Sequence, residues 1–218
     1  MKATREAYGE EIAKLVQENP RIVVLDADLA GSTKSAMAQK VAPERFFDVG
    51  IAEQNLIGVS AGLAASGYIP FASTFAMFAT GRCWEQIRNS VAYPQLNVKV
   101  IGSHSGITVG EDGCTHQAIE DIAIMRAITG LSVFSPCDQY ETKAVIDYVA
   151  SHDGPCYVRL GRSQVEDFFT ADTDFDVTKI NVLRQGSQKI AVFATGLMVQ
   201  SSMKAAEFLA EKGIDLTV

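Results

Sequence analysis

Short β-branched runs alternate with helical patterns along this chain, and that alternation is the strongest constraint on its fold. Ile22-Val23-Val24-Leu25 reads as a buried strand ending at Asp26, and Phe46 to Val49 as another. Ile69 to Ser73, Val98 to Ile101, Ser132 to Phe134 and Cys156 to Arg159 read as further strands. Thr4 to Glu18 predicts a helix with Tyr8, Ile12, Leu15 and Val16 on one face, Thr4 as its N-cap and Asn19-Pro20 as its stop. A helix opening at Glu53 follows the second strand, and others are expected near 75–91, 118–127 and 139–150. This order predicts an α/β fold, a mostly parallel sheet with helices on both faces. Ligands of such sheets bind beyond the carboxyl ends of the strands. Asp26 to Thr33, Glu53, Thr74-Phe75 and His104 to His116 all follow strands, so topology alone brings them to one edge.

Leu56 to Gly81 is a run of 26 residues without a charge, long enough to cross a bilayer. Gly67 and Pro70 divide it, and Gly58, Gly62 and Ser66 recur every four residues. One helix face is therefore nearly bare, which predicts close packing in a core or a subunit interface, not a membrane span. The 218 residues are 47% apolar and 21% charged, with a net charge of -7. That is room for one full domain and part of a second. It lacks the basic face of a nucleic-acid binder. Met1 to Leu15 carries charges throughout and has no apolar signal-peptide core. Four cysteines without a CxxC pair read as reduced thiols of a cytoplasmic protein. Ser163 to Ser187 is polar and aperiodic. The expected organisation is a domain over 1–165, a linker over 166–188, and the beginning of an incomplete second domain over 189–218. That last part would hold a strand at Lys189–Ala194, a helix at Val199–Ala210 and the start of a strand at Ile214–Val218.

The chemistry concentrates between Ser103 and Asp121. This stretch holds His104 and His116, two of the three histidines, with Glu111 and Asp112 between them and Gly106, Gly110 and Gly113 loosening the backbone. Neutral histidines shuttle protons or donate to a developing oxyanion. Two histidines with two carboxylates also suffice, as residue types, for a metal. Glu53 lies in the first turn of its helix, where the dipole favours its charge and apolar burial opposes it. Phe75 and Phe78 sit one helical turn apart, as a core pair or as a platform for a flat heterocycle. In Arg159-Leu160-Gly161-Arg162 one arginine offers a phosphate contact, and a solvated ion pair fits the spacing equally. His152, beside Asp153-Gly154-Pro155, reads as a surface turn residue.

At these residues the chain resembles the pyrimidine-binding domain of transketolases, which are thiamine diphosphate enzymes. It is most similar to the C-terminal subunit of transketolases split over two genes. The segments that carry the resemblance are Thr4-Arg5 to Leu15, Asp26-Ala27-Asp28-Leu29 to Ser32, Gly50-Ile51-Ala52-Glu53-Gln54, and Thr74-Phe75 with Phe78. Gly110-Glu111-Asp112-Gly113, Thr115-His116-Gln117, Ile119-Glu120-Asp121 and Arg159 to Arg162 complete it. The resemblance implies that Glu53 hydrogen-bonds the aminopyrimidine ring of thiamine and that Phe75 and Phe78 stack around it. Asp28 would contact the cofactor across a subunit interface. His104, Asp112 and His116 would bind sugar oxygens and move protons, and Arg5, Ser32 and Arg162 would hold a substrate phosphate. The reaction implied is transfer of a two-carbon ketol unit between sugar phosphates. The family also needs a diphosphate-binding domain with a Gly-Asp-Gly…Asn motif that holds a Mg or Ca ion, and this sequence has no such motif. The resemblance thus implies half an active site, completed by a separate N-terminal subunit, with homodimerisation expected. Glutamate motifs of this kind also occur in deoxyxylulose-phosphate synthases and in the beta subunits of 2-oxoacid dehydrogenases. Thr115-His116-Gln117 followed by Ile119 to Ala123 speaks for transketolase. A non-catalytic assembly module that retains the fold is the reading from a different class.

Overall fold

The structure, a computed structural model, describes residues 1–187 and 189–218. Gln188, the last residue of the expected linker, lies outside the described residues. The strands are β1 (Lys2–Ala3), β2 (Ile22–Asp26), β3 (Phe46–Asp48), β4 (Ile69–Phe75), β5 (Lys99–Ser103), β6 (Ser132–Phe134), β7 (Cys156–Arg159) and β8 (Gln164–Val165). Six of them form one sheet in the order β3-β2-β4-β5-β7-β6, and each neighbouring pair is parallel. The helices are α1 (Thr4–Glu18), α2 (Ala30–Thr33), α3 (Ala36–Val41), α4 (Glu53–Ala65), α5 (Trp84–Gln86), α6 (Asp121–Arg126), α7 (Gln139–Ser151) and α8 (Met198–Ala210). Wide π-helical turns, Phe78–Arg82 and Ile87–Ala92, flank α5.

Alternation within the strands splits the core in two, because successive side chains point to opposite faces. Ile22 and Val24 of β2 pack with Tyr8, Ile12 and Val16 of α1 and with Val145, Ile146 and Val149 of α7. Val23 and Leu25 pack instead with Leu56 and Ile57 of α4, with Ile87 and Val91, and with Met125 of α6. Both faces are covered, as parallel sheets require. The charge-free stretch becomes α4 and β4, and no helix among the described residues is long and apolar enough to cross a membrane.

Several local expectations are corrected. Thr4 is not the N-cap of α1. That position falls to Ala3, whose N–H donates to the Glu6 carboxylate, while the Thr4 hydroxyl accepts from the Gly161 N–H at 2.8 Å. The helix expected from 118 begins only at Asp121, because Ala118 pairs with Gly106. The segment expected as a helix over 75–91 starts after β4, which extends through Phe75, and is broken by the π turns. Within the polar stretch read as loop, Gln164 and Val165 pair antiparallel with Ala3 and Lys2. Strands over 189–194 and 214–218 reduce to one parallel bridge between Ala191 and Thr217.

Behind β2 the chain is pinned by a single carboxylate. Asp26 is fully buried and accepts from the Leu29 N–H, Thr33 Oγ1 and Ser35 Oγ, each at 2.7 Å. Burial pushes its carboxyl up to about 6 despite these donors. The pinned turn carries Ser32 and leads to Lys34, which lies against Gly9 of α1. A Cβ at Gly9 would lie 2.8 Å from the Lys34 carbonyl oxygen and 2.9 Å from Met37 Sδ. Gly9→Ala is therefore expected to cost about 1–3 kcal/mol through overpacking. Urea unfolding should show it as a lower midpoint with an unchanged slope.

Candidate active site

Asp26, Asp48, Ser103 and Arg159 end their strands on the same edge of the sheet, which makes that edge polar, and Phe75 ends β4 among them. Glu53 opens α4 after the turn that follows β3. Its residue is 2% exposed, and Oε2 accepts from Arg82 Nη1 at 2.6 Å. Oε1 has no hydrogen-bond partner among the described residues. Arg82 is about half exposed, and its guanidinium lies over the Phe78 ring, 4.8 Å from the centroid. Phe75 and Phe78 stack with centroids 5.9 Å apart and an interplanar angle of 11°. The pair is thus partly core and partly platform: Phe75 is buried, whereas Phe78 is only half-buried.

His104 stacks on Phe75 at 3.9 Å between centroids and is 3% exposed. Its φ of 56° turns the chain sharply at the end of β5. Its two ring nitrogens are distinguished by their partners. Arg5 Nη1, which can only donate, lies 3.3 Å from Nε2, so Nε2 accepts. Nδ1 then carries the proton and donates to Ser103 Oγ at 2.9 Å. Burial, followed by the charges of Arg5 and Arg162, holds the imidazole down to about 4. Arg5 also donates to the Ser32 carbonyl oxygen at 2.7 Å, and burial lowers its own pKa.

His116 closes the other side. Its ring meets Phe78 edge-on at 5.2 Å, and Nδ1 is engaged by Thr115 Oγ1 at 2.9 Å. Arg162 donates to the Val109 carbonyl oxygen and, at 3.1 Å, to Glu111 Oε1. Asp112 is exposed, and its charge is among those acting on His104. Glu111 therefore serves an arginine and does not join the histidines as a metal ligand. Asp28 is the outlier: it faces solvent at a φ of 62°, and its N–H donates to Asp48 Oδ1. Arg5, Ser32, Glu53, Phe75, Phe78, His104 and His116 form one connected group, whereas Arg162 and Asp112 act on His104 through their charges. Arg82, Ser103 and Thr115 belong to that group too, and sequence reading missed all three. Arg82 had a signal, being the first charge after the long uncharged run that Glu53 precedes.

Two buried polar atoms in this group have no protein partner among the described residues, Arg5 Nε and Thr74 Oγ1. Leaving such atoms unpaired costs about 1–3 kcal/mol each, which a polar ligand or water can recover. The fold and this edge define an α/β domain with a candidate site at the carboxyl ends of its strands. Residues 1–167 match the transketolase pyrimidine-binding domain. The chain belongs to the transketolase family. It is 42% identical over 214 residues to the 6-deoxy-6-sulfo-D-fructose transketolase subunit SqwH of a Clostridium species, covering 98% of this chain and 66% of that one. Human transketolase is 36% identical over 99% of this chain, which spans 35% of the human protein. A split-gene transketolase solved as an inactive β4 tetramer superposes with a TM-score of 0.90 at 50% identity, over 100% of this chain and 70% of that one. This chain thus spans about two thirds of the split or subunit relatives and about a third of human transketolase.

The His104 geometry sets a titration. Its ring NMR signals should remain those of a neutral Nδ1–H tautomer down to about pH 5, where an ordinary imidazole near 6.5 is already protonated. The unfolded chain takes up this proton near 6.5 and the folded chain only near 4. This residue's contribution therefore lowers stability as pH falls through that window.

Proposed function

We propose that this chain is the pyrimidine-binding subunit of a thiamine diphosphate-dependent transketolase assembled from two polypeptides. It would transfer a two-carbon ketol unit between sugar phosphates. The observation that carries this reading is Glu53, a carboxylate withdrawn from water at the head of α4 with Oε1 unclaimed. Arg82 links it to the Phe78 ring. These residues fit an aminopyrimidine: Glu53 offers the oxygen for a ring nitrogen, and Phe75 and Phe78 offer a stacking face. Asp28, exposed at its turn, would meet the cofactor from across an interface. Thiamine diphosphate, when bound, supplies the nucleophilic carbon that carries the two-carbon unit.

This chain's own residues would position the sugar and move its protons. His116 presents Nε2, the ring nitrogen that Thr115 leaves unengaged, to give or take a proton at a sugar oxygen. His104, kept neutral, would accept from a sugar hydroxyl at Nε2 in exchange for Arg5, while Nδ1 stays on Ser103, without adding charge to a site that already holds Arg5 and Arg162. Asp112 would accept a sugar hydroxyl. Arg5 and Arg162, with Ser32 beside Arg5, would hold the substrate phosphate, Arg162 exchanging Glu111 for it. The cofactor's diphosphate and its Mg or Ca ion would lie on a separate N-terminal diphosphate-binding subunit. The exposed, uncharged face of α4, with Gly58 and Gly62 free of close neighbours, is the surface through which copies of this chain would pair. Residues 189–218 read as the first part of a second α/β domain. Four free cysteines accord with a cytoplasmic setting.

In the mixed two-chain enzyme, Glu53→Gln is expected to lower kcat by about 10²–10⁴-fold with the assembly intact. Steady-state kinetics with xylulose 5-phosphate and ribose 5-phosphate measures it, and unchanged turnover removes Glu53 from the chemistry. Turnover should appear only on mixing with the N-terminal subunit, and activity of this chain alone contradicts the half-site reading. The inactive tetramer of the split-gene relative accords both with the half-site reading and with a second one, a non-catalytic assembly subunit. Unchanged turnover of Glu53→Ala in the assembled complex would favour it.

A further inference from the structure

We infer that Arg159 is a positioning residue that holds the mouth of the loop that follows His104 and carries His116. The inference rests on the proposed site only for its catalytic consequence. Arg159 ends β7 and is mostly buried in an ion pair with Asp121, so it makes neither the phosphate contact nor the solvated ion pair offered by its place in Arg159 to Arg162. Its Nε donates at 2.7 Å to Asp121 Oδ2, on a carboxylate that is 1% exposed. The same oxygen accepts from the Tyr157 hydroxyl at 2.8 Å. Both bonds converge on Oδ2, while Oδ1 is buried with no hydrogen-bond partner among the described residues, so removing Arg159 leaves this carboxylate stranded.

The guanidinium has a second arm. Nη2 lies 3.4 Å from the Ala118 carbonyl oxygen, which also accepts from the Gly106 N–H at 2.8 Å. A Cβ on Gly106, whose φ is 74°, would stand 3.3 Å from this same Nη2. Residues 106 and 118 thus pair backbone to backbone beside the tip of one guanidinium, which holds the Ala118 side, and 107–117 form a closed loop. His104 lies just before that mouth and His116 just inside it, which is how residues twelve apart reach the adjacent rings Phe75 and Phe78. A lysine could reach Asp121 but has no fork with which to hold Ala118 at the same time.

The test uses the full chain and needs no activity. In wild type, the ring carbons and protons of both histidines should show shifts displaced by the neighbouring phenylalanines. In Arg159→Gln, both sets should move toward free-imidazole values, and the His104 titration should rise from about 4 toward 6.5. Arg159→Lys, which preserves the buried charge pair, should fold and give intermediate shifts, and it decides the matter if Arg159→Gln does not fold. In the assembled enzyme, Arg159→Lys should raise KM for the sugar phosphate several-fold more than it lowers kcat. Histidine shifts and titration that match wild type in a folded variant overturn the inference, whatever the enzyme assay shows. Altered shifts with no detectable turnover in wild type leave the inference standing and reject the transketolase reading instead.

Discussion

In a parallel sheet covered on both faces, polar side chains reach water or a ligand only at the strand ends. The six-stranded sheet here obeys that constraint, and the rest of the molecule follows from it. Strand interiors are apolar on either side, apart from the β4 hydroxyls and Lys99 at the start of β5. Asp26, Asp48, Phe75, Ser103 and Arg159 then collect on one edge because parallel strands all end there. The neighbours add the group that matters most, since Glu53 opens the helix after β3. Several buried ionisable groups are concentrated behind a single rim, and each is balanced by a specific partner: Asp26 by three donors, Glu53 by Arg82, Asp121 by Tyr157 and Arg159.

Electrostatics divides that rim. On one side Arg5 and Arg162 act on His104, and with burial they keep the ring uncharged. On the other, Glu53 and Arg82 neutralise each other beside Phe78. The rim therefore offers a cationic end suited to an anion and a flat end suited to a neutral ring. That division matches the two kinds of molecule, sugar phosphate and aminopyrimidine, that the proposed reaction brings together.

Much of this was legible in the sequence, and the failures have a common cause. The six sheet strands could be read because each is a short apolar or β-branched run, and α1, α4, α7 and α8 because their patterns are long enough to be periodic. The edge location of Glu53, His104 and His116 followed from topology without any geometry. What escaped was pairing at a distance. Ala118 looked helical until Gly106 claimed it, and Gln164-Val165 looked like loop until Lys2-Ala3 lay beside it. Arg159 read as a phosphate contact or a solvated ion pair because its buried partner, Asp121, is far away in sequence. Over 189–218, one bridge forms where two strands were expected, since period-2 patterning does not itself supply neighbours.

The π turns between Phe78 and Ala92 are a matter of spacing. Each holds one residue more than the α-helical repeat needs, and such insertions gather at functional sites. Excising one would restore a regular helix but swing everything beyond it by about 100°. An excision within Phe78–Arg82 would leave Phe78 on its ring stack and carry Arg82 away from Glu53. The number of residues in this segment is accordingly as binding as the identities of Phe78 and Arg82: one deletion there would cost a scaffold built from this chain its Arg82–Glu53 pair.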